Sequence, residues 1–374
     1  MKYFLIAGEA SGDLHASNLM RGLLKHDPGA SFRYLGGDLM GEVSGERVLH
    51  YRETNYMMLD VLLHLRKVFR NMARIRREII RWDPDVVIPV DYPGFNLRIA
   101  RYASKKGFRV FYFISPKVWA WKQRRVVTLK RYTDRLFTIL PFETSFFARF
   151  GLETEYFGNP LVDLVEDFRS RFEGAEAWKR RHGMGDRRLV ALLAGSRRKE
   201  VEAMLPLMAS LAPQHPGYQF VVAGTGSVEK SLYERLLKGT GVGIVYGETY
   251  PLLASSEAGM ITSGTATLEA ALFRLPHVVL YRTGSAAYAL AKRIIKVNFI
   301  SLVNLVYGEE LVKEIIQKDM KKRTERELAG ILGDTGYRDR MVGGFRALRS
   351  QLGDGEVTSK ISARMVELLR AEEA

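Results

Sequence analysis

KYFLIAGEASGDLH, residues 2–15, is an apolar run that passes without a linker into small residues and acids. Lys2–Ala7 is hydrophobic at successive positions, as a strand is when helices cover both faces of its sheet. Gly8-Glu9-Ala10-Ser11-Gly12-Asp13 then stands where a strand should hand over to a helix, and helical spacing follows from about Leu14 to Lys25. In an open α/β sheet the ligand crevice lies at the carboxyl ends of the strands. The handover is therefore a candidate site wall, with Asp13 read as a cap of the helix that follows.

The same phrase recurs outward from this stretch. Apolar strands are expected at 32–35, 85–91, 110–114 and 135–140, with helical spacing between them and over 56–82. The rhythm restarts after a polar helical stretch at 163–187. LVALL at 189–193 ends in Ala-Gly-Ser-Arg, FVVA at 220–223 ends in Gly-Thr-Gly, and further strands are expected at 243–246, 258–262 and 277–281. Strands alternating with helices predict parallel, doubly wound sheets. The fold class is α/β with two such domains joined near 160–165, and a ligand cleft is expected between them.

Composition narrows the function. The 374 residues hold no cysteine, which excludes a disulfide framework, a Cys-ligated metal and a Cys nucleophile. They are 47% hydrophobic, enough for two real cores. Lys and Arg exceed Asp and Glu by 57 to 42, a net charge of +15, so anionic partners are favoured: nucleic acid, anionic lipid or phosphorylated substrates. No secretory leader and no membrane span are expected. The histidines have no metal-ligand spacing, and His15 alone lies near the opening motif.

Five motifs can carry chemistry, each beside a plainer reading. SGTATLEAALF at 263–273 puts Ser263, Gly264, Thr265 and Ala266 at a helix N-terminus, where open N–H groups and the helix dipole suit phosphate. Glu269, one turn on, can hold ribose hydroxyls; the alternative is an ordinary turn with an exposed Glu. In LLAGSRRKEV, 192–201, Gly195, Ser196 and Arg197 end a strand, and Arg197 can grip a diphosphate. Here the alternative is a solvated basic helix start. Asp91 in VDYPGFNLR closes a buried strand, as a general base or as a cap or ion-pair partner. ISPKVWAWKQRR, 114–125, sets two Trp among four cations, either flanking a sugar or phosphate or packing a domain edge. In 57–82, Leu62, Leu65, Phe69, Met72, Ile75 and Ile79 form a helical stripe, with Arg66, Lys67, Arg70, Arg74, Arg77 and Arg81 largely off it. That pattern belongs to a helix lying on a membrane, or to a domain helix with a solvated basic face.

Taken together these motifs resemble the lipid-A-disaccharide synthase family, over nearly the whole chain. The resemblance rests on AGEASGDLH (7–15), DYPGFN (91–96), SPKVWAWKQRR (115–125), LPFE (140–143), GNPLVD (158–163), AGSRRKEVE (194–202), SGTATLEAAL (263–272) and ISLVNL (300–305). It departs from the family pattern at Gly94, Asn159 and Ala194 and around Met58. The resemblance implies the GT-B fold, two Rossmann-like domains facing across a cleft. The expected division is an acceptor-side and lipid-side domain at 1–163 and a UDP-sugar domain at 164–344. Residues 345–374 are expected to cross back onto the first domain or to reach a partner subunit of a homodimer. The implied activity is that of an inverting glycosyltransferase of lipid A biosynthesis in Gram-negative outer-membrane assembly. It condenses UDP-2,3-diacylglucosamine with 2,3-diacylglucosamine 1-phosphate into a β-1,6-linked disaccharide 1-phosphate and UDP.

By the same resemblance Asp91 is the base, with Glu9 the second candidate. Arg197 and the 264–267 turn meet the charge of the departing UDP, and Ser11, Asn96 and Asn304 line the acceptor side of the cleft. Met57, Met58, Leu62, Leu65, Arg66, Lys67, Phe69 and Arg70 form the acyl and membrane face. No cofactor, metal or nucleic acid is implied. The expected location is the cytoplasmic face of the inner membrane, peripherally bound. The rival enzymes are a UDP-sugar epimerase of the same fold and a glycosyltransferase acting on a soluble acceptor.

Overall fold

The computed structural model describes residues 1–53, 65–284, 288 and 297–371. The chain forms two compact units, one of residues 1–163 with 353–374 and one of residues 164–352.

The first unit is built on seven strands: β1 (Lys2–Ala7), β2 (Ser31–Gly36), β3 (Arg47–His50), β4 (Val86–Val90), β5 (Arg109–Phe113), β6 (Arg135–Thr138) and β7 (Glu155–Tyr156). They lie in the order β3-β2-β1-β4-β5-β6-β7, every pairing parallel. The chain builds outward from β1 in one direction, then returns to lay β4 on its other side, with Ala7 opposite Val90. This reversal places a crevice at the carboxyl ends of β1 and β4.

Helix α1 (Ala10–His26) follows β1, α2 (Leu65–Trp82) precedes β4, and α3 (Pro93–Lys105) follows it. Alternation along β1 accounts for its unbroken hydrophobicity. Tyr3, Leu5 and Ala7 pack with Leu19, Met20 and Leu23 of α1, while Phe4 and Ile6 pack with Ile75 and Ile79 of α2 and Ile99 of α3. Each such aliphatic side chain contributes about 2 kcal/mol of burial.

The first turn of α1 begins at Ala10, so the small residues of the opening motif are helical rather than a loop. Glu9 is the N-cap. Asp13 does not cap this helix. Its buried carboxylate accepts the N–H groups of Gly37 (2.6 Å), Leu39 (3.1 Å) and Met40 (3.3 Å), tying α1 to the short turn after β2. Asp13→Ala would bury those three donors without partners. It is expected to cost about 2–4 kcal/mol, read as a lower unfolding midpoint.

The second unit holds β8 (Arg188–Leu193), β9 (Tyr218–Gly224), β10 (Gly243–Tyr246), β11 (Ser256–Thr262), β12 (His277–Tyr281) and β13 (Glu314–Ile316), in the parallel order β10-β9-β8-β11-β12-β13. The direction of building reverses between β8 and β11, paired through Leu193 and Ile261. Helix α4 (Arg198–Ala209) leaves β8 and α5 (Thr265–Leu272) leaves β11. The polar stretch expected as helical over 163–187 forms two helices, Leu161–Arg171 and Ala175–Arg181.

The last helix, α6 (Val357–Ala371), belongs to the first unit, where Ile361 and Met365 pack against α1. Asp163, the end of GNPLVD, accepts the N–H groups of Val357 (3.0 Å) and Thr358 (2.8 Å) and so anchors its first turn.

Candidate active site

Both reversals of strand order coincide with the motifs singled out in the sequence. In the first unit Asp91 leaves β4 with φ 42° and Tyr92 follows with φ 47°. Two consecutive non-glycine residues in the left-handed region are strained, and such strain persists only where the surroundings fix it. Here they do. The Asp91 N–H donates to Phe113 O (3.0 Å), and the Asp91 carbonyl accepts from Tyr112 Oη (2.6 Å) and Asn96 Nδ2 (2.8 Å). Pro93 then opens α3 with its φ already set for a helix. The Tyr92 ring lies against Gly8, where a Cβ would overlap it, so the close approach of the two strand ends requires glycine.

Asn96 is fully buried, and its amide also donates to the carbonyls of Ile6 and Val90 (3.1 Å each). It clamps the ends of β1 and β4 from beneath instead of lining a cleft. Ser11 is exposed in the first turn of α1, and Glu9 makes no capping bond from its side chain. The N-terminus of a 17-residue helix therefore stands at the crevice beside Asp91.

Burial pushes the Asp91 carboxyl up to about 6; Lys117 pulls it back, Glu9 lifts it further, and the Tyr92 N–H lowers it. A carboxylate of that pKa is ionised at neutral pH and still basic enough to take a proton. Burial drives the Tyr112 hydroxyl well above its ordinary range, with Asp91 adding to it, so Tyr112 serves as a neutral donor. His15 is buried and pushed down to about 4 by that burial, which leaves it uncharged. The two tryptophans of 114–125 have different surroundings. Trp119 is buried, while Trp121 is 42% exposed with Lys122 (4.3 Å) and Arg125 (5.6 Å) over its ring.

In the second unit Glu200 closes the start of α4. Gly195 has φ 111°, and a Cβ on it would sit 2.6 Å from Glu200 Cβ. Oε2 of Glu200 accepts the N–H groups of Ser196 (3.0 Å) and Arg197 (3.2 Å), and Oε1 pairs with the Arg197 guanidinium (3.3 Å). A carboxylate of the chain itself thus occupies the first amides of α4, which leaves the Arg197 side chain as the part of this motif open to a diphosphate. Arg197 keeps an exposed guanidinium with further donors. Alongside is a cavity of about 710 Å3 whose lining includes Lys199, Arg282 and Lys318.

The N-terminus of α5 is different. Gly264 is its N-cap and no side chain caps it. Ser263 Oγ donates to Ile300 O (2.9 Å), which ties the turn to the 300–305 motif. Asn304 is fully buried there. It donates to Val312 O and Glu314 and accepts from the N–H groups of Leu311 and Val312, so it braces a loop inside the fold. Glu269 accepts from Tyr250 Oη (3.0 Å), and burial raises its carboxyl above the ordinary range.

On α2, Met72, Ile75 and Ile79 are buried while Arg66, Lys67, Arg70, Arg74, Arg77 and Arg81 are exposed. Phe69, a member of the apolar stripe, is 58% exposed, and Ile80 is 45% exposed. Both lie on the border between the apolar and basic faces. Met57, Met58 and Leu62, with the side chain of Leu65, lie outside the described residues. Among the described residues no helix is long and apolar enough to cross a membrane.

Comparison with known proteins agrees on one family. A family profile described as lipid-A-disaccharide synthetase matches residues 3–337. The chain is 34% identical over 376 residues to the lipid-A-disaccharide synthase of Geobacter sulfurreducens, covering 98% of this chain and 97% of that one. It is 33% identical to that of Myxococcus xanthus, with 98% and 97% covered. Among solved structures it resembles the UDP-GlcNAc 2-epimerase of Methanocaldococcus jannaschii in complex with UDP-GlcNAc and UDP. That match has a TM-score of 0.67 at 15% identity, with 99% and 100% covered. At such identity the match shows the fold alone, the GT-B fold of glycosyltransferases and epimerases.

Proposed function

The chain belongs to the lipid-A-disaccharide synthase family, a glycosyltransferase family of lipid A biosynthesis that joins a UDP-sugar donor to a sugar-phosphate acceptor, and from that premise we propose its substrates and the parts its residues play. The donor is UDP-2,3-diacylglucosamine and the acceptor 2,3-diacylglucosamine 1-phosphate. Asp91 is the general base. It takes the proton of the acceptor's 6-hydroxyl as that oxygen attacks the anomeric carbon and the bond to the UDP oxygen breaks, in one inverting displacement. The observation that carries this reading is a locked left-handed strand end that holds a carboxyl of pKa about 6 at a reversal of strand order. Glu9, the alternative base, acts in this reading through its charge on Asp91.

The N-terminal amides of α1, beside Ser11, receive anionic parts of the acceptor. UDP leaves as an anion, met by the N-terminus of α5 and by Arg197, with Glu269 on the ribose. Glu269→Gln keeps the shape but weakens acceptance from a ribose hydroxyl. It is expected to weaken UDP binding about tenfold by calorimetry with little change in kcat. The exposed face of α2 brings the protein to the anionic inner membrane, where both acylated substrates reside.

The test is a UDP-release assay in detergent with the diacylated donor, with and without the acceptor. Acceptor-dependent release is the expected result. Release without acceptor points to the epimerase-like alternative, and failure to bind UDP would overturn the nucleotide-sugar reading.

A further inference from the structure

Glu143 stands in the first turn of the helix Pro141–Ala148 and is 1% exposed. Its Oε2 accepts the N–H groups of Ile139 (3.1 Å) and Leu140 (3.0 Å), which is the ordinary work of a capping carboxylate. Its Oε1 is engaged elsewhere. It accepts from Ser115 Oγ (2.6 Å) and Trp119 Nε1 (3.0 Å), on the segment that leaves β5. The two donors lie two residues before and two residues after Lys117. Both are buried, whereas Lys117 between them is exposed and carries the charge that acts on Asp91. Capping the helix needs Oε2 alone, so Oε1 has a separate task. Ile114, just before the pinned stretch, has φ 61°, a second strained strand end beside that of Asp91.

We propose that Glu143 is a positioning residue of the transfer reaction, pinning Ser115 and Trp119 so that the loop between them presents the Lys117 ammonium to Asp91. It rests on Asp91 being the base. Glu143 touches no reacting atom in this arrangement and acts through Lys117. The charged and titratable groups around Asp91 are Glu9 at the N-cap of α1, Tyr112 from β5 and Lys117 from the pinned loop, with Arg125 acting on Tyr112. Lys117 is the cation of that set which opposes burial and Glu9. When the pin is released the opposition weakens, Asp91 holds its proton to higher pH, and less of the base is ionised at neutral pH. Around Glu143 itself the facing groups are Ser115, Trp119 and Tyr156, whose hydroxyl is raised by burial and further by the Glu143 charge.

The experiment is the pH dependence of kcat for Lys117→Met, Glu143→Gln, the pair Ser115→Ala with Trp119→Phe, and the double variant Lys117→Met with Glu143→Gln. Lys117 is exposed, so its variant folds, and the Ser115/Trp119 pair leaves the helix cap intact should Glu143→Gln fold poorly. The expected result is an acid limb displaced toward higher pH by about one pH unit in each case, the size of effect a nearby opposite charge exerts. The double variant should move no further than Lys117→Met alone, because both act along one route. A lowered unfolding midpoint with the acid limb unmoved in the Glu143 and Ser115/Trp119 variants would make Glu143 structural and overturn the proposal. So would additive displacements in the double variant. A carboxyl-carbon NMR titration of Asp91, which needs no turnover, separates this from the function. If the Asp91 titration moves while the rate profile does not, the pinning stands and Asp91 is not the base.

Discussion

Asp91→Asn is expected to lower kcat about a thousandfold, leave the UDP dissociation constant within about twofold, and make the protein more stable. The first effect is the loss of a positioned base, within the hundred- to ten-thousandfold span such groups supply. The second follows because the UDP-binding residues proposed here lie in residues 164–352 whereas Asp91 belongs to the other unit. The third follows from the titration. In the folded chain the carboxyl holds its proton to about 6, against an ordinary value of 3.8. Between these values folding takes up a proton, so stability is full at low pH and falls as the pH climbs to about 6. That gap corresponds to about 3 kcal/mol at neutral pH. Asparagine has no charge to bury, so the variant should gain up to that amount at pH 7.5 and lose the advantage near pH 4. A denaturation midpoint measured at both pH values checks it. A fall in UDP affinity together with kcat would make Asp91 a donor-side or structural residue instead.

With Asp91 as the proposed base, a carboxyl that destabilises the fold at neutral pH marks this strand end as a place where function is kept against stability. The sequence already signalled part of it: an acid after Val86–Val90 and a proline two residues on. It could not show the left-handed turn, because Asp91 and Tyr92 are ordinary residues whose strain is fixed by distant partners, Phe113, Tyr112 and Asn96.

The central strands were legible because burial on both faces leaves a long apolar run. The edge strands β3, β7 and β13 were not, at four, two and three residues with partly exposed side chains. Asn96 and Asn304 were placed in the cleft by the family resemblance alone. In the structure each bonds main-chain groups inside the fold, and direction is what a one-dimensional pattern lacks. Asp13 misled for a similar reason, since its partners lie from 24 to 27 residues away. Glu200 was visible in the sequence, but its place over the amides of Ser196 and Arg197 follows from helix geometry, three residues into α4.

Replacing Arg66, Arg70 and Arg74 by Ser together is expected to weaken binding to anionic vesicles about a hundredfold and to leave binding to neutral vesicles unchanged. All three are exposed on the face of α2 opposite Met72, Ile75 and Ile79. A cation near an anionic surface contributes about 1 kcal/mol, so three contribute about 3 kcal/mol, reduced as salt screens them. Phe69 supplies the other component. At 58% exposed on the border of that face, its ring is placed to enter the headgroup boundary while the cations stay outside. Phe69→Ser should therefore weaken binding to neutral and anionic vesicles alike, and its effect should persist in high salt where that of the arginine variants fades. Co-sedimentation at two salt concentrations resolves the four cases. If neither substitution moves the bound fraction, α2 is a domain helix with a solvated basic face, and the acylated substrates proposed above must be met through another surface.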